Sequence, residues 1–163
     1  MNSYHNLEDN NIIALSMTLP PLSGEFFALA QVRPGSLCRL IKVTDGVMGV
    51  EEQEDVAVED AGAYLPLFAV ENGYMGGTIN DVYEIGERVM LRWGRPGDMV
   101  LARYDADTVD DVHTGHYLVS GNDGTLRKLV IATDKPGAVV GISLIDRVKT
   151  APVSDLWMPI FLS

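Results

Sequence analysis

Apolar residues along this chain fall in short runs broken by Pro, Gly and Asp-Gly pairs, and no apolar stripe at helical spacing is sustained. Glu87 to Trp93 alternates, with Val89, Leu91 and Trp93 on one face, the two-residue period of a half-buried strand. Leu37 to Val43, Met99 to Tyr104, Leu126 to Ala132, Ala138 to Ile145 and Leu156 to Leu162 also have strand character. Ala63 to Val70 joins them, and Pro66 within it predicts an edge strand or a bulge. Gly24 to Ala30 is too short to separate one helical turn from an entering strand.

Three related turns, Arg33-Pro34-Gly35, Arg95-Pro96-Gly97 and Lys135-Pro136-Gly137, each stand ahead of a strand-like run. Pro presets the first central turn position, and Gly accepts the positive φ that a type II turn needs next. Asp45-Gly46 and Asp123-Gly124 read as hairpin turns. Gly35 to Val50 and Gly115 to Ile131 share one plan (Gly, strand, Asp-Gly, strand), an internal echo too weak to define a repeat array. Strands spaced roughly ten residues apart, with no amphipathic crossover helix, predict an all-β fold. The expected form is a small antiparallel β-barrel or sandwich over residues 33–163.

The start of the chain differs. Residues 1–11 are polar and Asn-rich, and Ile12 to Leu19 is an apolar run that stops at Pro20-Pro21. Two helical turns would fit that run, but the stripe does not continue past the prolines, and the extended reading is preferred. Residues 1–32 are therefore expected to form an extended N-terminal arm. Apolar extended arms lace subunits together by strand addition, which makes Ile12, Ile13, Leu15, Met17, Leu19 and Leu22 candidate partner-binding residues. The other strongly apolar segment, Leu156 to Leu162, carries Trp157 and Phe161, also candidates. It is either an inner strand of the barrel or a surface docked on a neighbouring subunit.

Gly 16 and Pro 8 in 163 residues fit a turn-rich chain of one domain. With 12 basic against 23 acidic residues the net charge is -11. No basic cluster is available for counterion release on nucleic acid, and an anionic membrane surface would repel the chain. Cys38 stands alone, so neither an intrachain disulfide nor a thiolate metal cage is expected, and a reducing compartment fits. The polar, acidic start does not match a basic secretory leader, and no apolar run is long enough for a membrane-spanning helix.

Candidate chemistry is sparse. From Asp105 the EF-hand pattern fails, because the sixth position is Asp110 rather than Gly and the twelfth is His116. His113 and His116 lie three apart beside Asp110 and Asp111, but a transition metal wants three or four convergent ligands, and two exposed turn histidines are expected. Leu22-Ser23-Gly24 and Val119-Ser120-Gly121 lack the framing glycine of a nucleophile elbow, and Cys38 reads as a small buried hydrophobe. Gly73 to Gly77 is Gly-rich without the Lys and Ser or Thr of a phosphate loop. The acidic stretches Glu51 to Asp60 and Asp105 to Asp111 read as solvent-facing loops, or as a strand with one acidic face such as Val56 and Val58 against Glu59. No enzyme, metal site or cofactor is expected.

Three segments together carry a family resemblance: Pro96-Gly97-Asp98-Met99-Val100, the hairpin Gly115 to Leu126 around Asp123-Gly124, and Val140-Gly141-Ile142-Ser143-Leu144. Over residues 33–148 the chain resembles the decoration (cement, or head-stabilising) proteins of tailed bacteriophages. The resemblance implies a small β-barrel that sits on the outside of an icosahedral head, as a homotrimer, and bridges neighbouring major capsid proteins. It also implies synthesis in the host cytoplasm, a capsid-binding or intersubunit role for the arm, and no catalysis. The rival expectation is a non-enzymatic β-sandwich module for a carbohydrate or peptide, with Trp93, Tyr104 or Tyr117 as the stacking surface.

Overall fold

The computed structural model describes residues 26–42, 48–54, 66–72, 75–105, 111–134, 138–146 and 156–163. The candidate arm residues Ile12 to Leu22, the Asp45-Gly46 and Lys135-Pro136-Gly137 turns, and much of both acidic stretches lie outside the described residues. Ten strands run in chain order: β1 Phe26–Ala28, β2 Leu37–Lys42, β3 Met48–Glu52, β4 Leu67–Ala69 and β5 Leu91–Trp93, then β6 Met99–Tyr104, β7 Tyr117–Ser120, β8 Leu126–Lys128, β9 Val139–Ser143 and β10 Leu156–Leu162. Among the described residues there is no α-helix, and the all-β expectation holds.

The strands make two sheets. The first has the order β1-β3-β2-β4-β5, and the second is a closed barrel, β10-β6-β8-β7-β9. Pairing is antiparallel except for β1 with β3 and β6 with β8, which are parallel; the purely antiparallel expectation is corrected there. The alternation of side chains explains both cores. In the barrel Val100, Ala102 and Tyr104 of β6 meet Met158, Ile160 and Leu162 of β10 inside. In the first sheet Ala28, Cys38, Val50, Leu67, Ala69 and Leu91 form a second core.

The two sheets are copies of one module. Each has its first strand parallel to its third, its second between third and fourth, and its fifth beyond the fourth. The turn bonds repeat as well. Gly35 N–H donates to Ala69 O (2.7 Å) and Gly115 N–H to Ser143 O (2.9 Å), while Ala69 and Ser143 donate back to Ser36 and His116 O, both at 3.0 Å. Val70 N–H reaches Met90 O at 2.9 Å, and Leu144 N–H reaches Pro159 O at 3.1 Å. Leu29 N–H reaches Val50 O at 2.9 Å, and Asp105 N–H reaches Leu126 O at 2.8 Å. The barrel closes through β6 and β10, where Arg103 faces Trp157. The first sheet has only the bridge Phe27↔Arg88 at the matching place. The echo between Gly35 to Val50 and Gly115 to Ile131 is thus part of a two-fold structural repeat.

Three expectations shift. The arm boundary at residue 32 falls inside the structure, because Phe26–Ala28 is a strand of the first sheet and Val32 is fully buried. Pro66 does not mark an edge: it precedes β4, which lies between β2 and β5, and its carbonyl accepts from Gly94 N–H. The first acidic stretch is not simply a loop, since Glu51 and Glu52 end β3. There Glu51 meets Arg39 and Glu52 meets Arg33, each at 3.0 Å.

The modules are fastened by the tip of the β7–β8 hairpin. Asp123 and Gly124 both have positive φ (54° and 68°), the type I′ geometry expected of Asp-Gly. Gly124 is wedged between strands of the first module, its N–H donating to Gln53 O and its O accepting from Leu37 N–H, both at 2.8 Å.

Candidate functional site

Because β-strands alternate, each module has an outward row that crosses three neighbouring strands. In the first module that row is Leu37–Phe68–Arg92. In the second it is Tyr117–Ile142–Phe161, continued to Met99 on β6. Register and turn bonds make the two rows equivalent, residue for residue. Their surroundings differ. Leu37 and Phe68 are completely buried and belong, with Val70 and Ile79, to the same apolar cluster as the barrel core. Tyr117 is 52% exposed and Phe161 41% exposed, with Ile142 half-buried between them. The first module's row is covered by the second module, and the second module's row faces solvent. Close to it, Leu129 N–H donates to Tyr117 O, and the following turn leaves Ile131 90% exposed.

The Gly35 turn of the first module seats against β6 and β10. Arg103 is buried there, its guanidinium 5.2 Å from the centre of the Trp157 ring and its N–H bonded to Gly35 O at 3.1 Å. Gly35 has φ +82° and lies flat against the Trp157 ring, so that an added Cβ would overlap it. Trp157 and Phe161, neighbours in the predicted C-terminal segment, therefore do different work. Trp157 is spent inside the chain, whereas Phe161 is on the open row. The strand β10 is an inner strand of the barrel by its Met158, Ile160 and Leu162, and a surface by its alternate residues. Sequence reading named Phe161 but missed Tyr117 and Ile142 as its partners, because only the pairing of β7, β9 and β10 makes them neighbours.

The remaining candidates behave more simply. Cys38 is buried in the first core, and that burial pushes its thiol far above the usual range. His113 and His116 sit edge to face, ring centres 5.3 Å apart, at the turn before β7. Asp146 accepts from Thr114 N–H and Oγ1 there, and these bonds hold its carboxyl below the usual range, with His113 and His116 adding to the effect. Among the described residues no group of three or more His, Cys, Asp or Glu is placed to hold a metal ion. Of the aromatic stacking residues expected for a ligand-binding module, Tyr104 is inside the barrel, while Trp93 and Tyr117 are exposed. A separate open groove of 330 Å³ lies on the first module, lined by Met75, Val82, Tyr83 and Arg88 among others.

No protein-family model matches the chain, and no curated protein matches it in sequence. Among solved structures the chain is similar to the N base of the head fiber gp8.5 of bacteriophage phi29. The likeness has a TM-score of 0.55 at 14% sequence identity, and covers 88% of this chain and 95% of that one. It shows a shared fold across nearly the whole of both chains.

Proposed function

We propose that this protein is a non-enzymatic structural component of a phage virion, seated on the outer surface of the head. The observation that carries the reading is the fold shared with a head-fiber base over 88% of the chain. The surface described above supports it, because a two-module β body with an exposed apolar row has the features of a docking protein. In this reading it binds the major capsid protein as a homotrimer, bridges neighbouring capsomers and stabilises the shell as a decoration or cement protein, with the apolar N-terminal residues as a further contact. It is made in the host cytoplasm and uses no cofactor, nucleic acid or membrane. Binding only the assembled shell, it stabilises that shell by mass action. The net charge of -11 keeps free copies soluble and complements basic patches on the shell.

Co-sedimentation with purified, DNA-filled and empty heads of the phage that encodes the chain tests this. Saturable binding to both kinds of head is expected, together with delayed heat disruption of the shell. Absence of the chain from the mass-spectrometric inventory of purified virions would sink it. Deleting residues 1–22 is expected to leave the folded body intact by circular dichroism and to weaken head binding. Unchanged binding, or loss of the fold, counts against the assigned role of Ile12 to Leu22.

A further inference from the structure

We infer that residues 23–25 continue β1 along the open side of β5, so that the first module, like the second, is completed as a barrel by the chain's own backbone. This contact belongs to the body of the protein and stands apart from whatever that body binds.

Among the named strands β5 is an end strand, paired with β4 on one side only. An uncovered end strand is a template for another chain, and folded proteins cover or blunt such edges. The internal repeat identifies the cover. Pairings of the first sheet recur in the barrel at the same spacing along each strand: Ala28↔Val50 matches Tyr104↔Leu126, and Phe68↔Arg92 matches Ile142↔Phe161. On those spacings the bridge Phe27↔Arg88 matches Arg103↔Trp157. In the barrel the ladder runs on from there through Leu101↔Pro159 to Met99↔Phe161. Counting the same steps in the first module sets residue 25 opposite Met90 and residue 23 opposite Arg92. Residues 23–25 lie outside the described residues, but the chain that follows them begins at this edge, where Val89 N–H donates to Phe26 O at 2.8 Å.

The sequence of the segment suits the place. Phe26 and Ala28 pack in the first core, so alternation turns Gly24 inward beside the fully buried Leu91, and Ser23 and Glu25 outward. On that outer face Glu25 falls diagonally between Arg88 and Arg92, a separation that long side chains of opposite charge span. Pro20 lies seven residues ahead of Phe27, as Pro96 lies seven ahead of Arg103. Pro21 takes the place of Gly97 and has no N–H, so the bond from Gly97 to Leu162 O has no counterpart and the added strand ends there. The apolar run Ile12 to Leu19 then leaves the body beyond Trp93, and it is this run that a partner can reach.

Cysteine pairs in the full chain test this. The bonds from Ala28 N–H to Glu87 O and from Val89 N–H to Phe26 O make Phe27↔Arg88 a non-hydrogen-bonded pair. Every second pair onward is of that kind, with side chains close enough for a disulfide. Ser23→Cys with Arg92→Cys and Glu25→Cys with Met90→Cys are two such pairs, so one remains informative if the other fails to fold. Gly24→Cys with Arg92→Cys is shifted by one residue, which puts the two side chains on opposite faces. Cys38 is fully buried and takes no part. After mild oxidation of the folded variants, non-reducing gels and peptide mapping are expected to show an intrachain disulfide in most chains of the facing pairs and in few of the shifted pair. Disulfides between chains would overturn the inference and give the β5 edge to the same segment of a second copy. Facing pairs that fold and stay unlinked would overturn it too, as would equal linking of the shifted pair.

Discussion

Gly35→Val is expected to destabilise the protein by about 3–5 kcal/mol, combining a strained backbone with overpacking at the module boundary. A β-branched residue at φ +82° is a steric outlier, and its Cβ would occupy space that the Trp157 ring fills. The internal repeat supplies the control. Gly115 occupies the equivalent turn with φ +89°, yet nothing lies within 4 Å of its missing Cβ. Gly115→Val should therefore show the backbone cost alone, about 1–3 kcal/mol. The difference between the two variants measures the seam between Gly35 and Trp157. Urea unfolding followed by circular dichroism and by tryptophan emission gives both numbers, and Gly35→Val is expected to separate the two signals as the modules uncouple. Equal midpoints for the two variants would show that the seam contributes nothing.

The same pair of turns shows how far the fold could be read in advance. Pro-Gly and Asp-Gly chemistry is local, so turns and the strands that follow them are legible; β2, β6, β9 and β10 all lie within their predicted runs. Pairing is not local. The three residues of β1 carry no period, which is why Gly24 to Ala30 reads equally as one helical turn or an entering strand, and why its parallel pairing with β3 is not legible. The duplication is hidden for a physical reason. Equivalent positions face different surroundings, and their side chains differ accordingly: Leu37 against Tyr117, Phe68 against Ile142, Arg92 against Phe161. Interior positions keep an apolar character, as at Val32 and Val112, both fully buried ahead of their turns. Of the candidate site, Phe161 stood out because its segment is strongly apolar, whereas Tyr117 and Ile142 gain meaning only from register.

Asp134→Ala is expected to cost about 3–5 kcal/mol, because it strands a largely buried guanidinium. The Asp134 side chain is fully buried, and it accepts from Arg127 Nη1 and Nη2 at 2.7 and 2.8 Å and from Val130 N–H at 2.6 Å. Its carboxyl is held below the usual range, chiefly by the hydrogen bond from Arg127, with Val130 N–H helping and burial opposing. The sign of the pH effect follows. A carboxyl with a depressed native pKa stabilises the fold fully above its unfolded value, near pH 4, and loses that contribution as pH falls toward the native value. Wild type should therefore lose melting temperature steeply below about pH 4. Asp134→Asn, less stable at neutral pH, should show a shallower acid limb, and parallel limbs would exclude Asp134 as a source of the acid sensitivity. The pair also anchors the turn that follows β8. Arg127 is on β8, Asp134 closes the turn through Val130 N–H, and Leu129 N–H bonds to Tyr117 O. Cutting the ion pair thus loosens the support behind Tyr117.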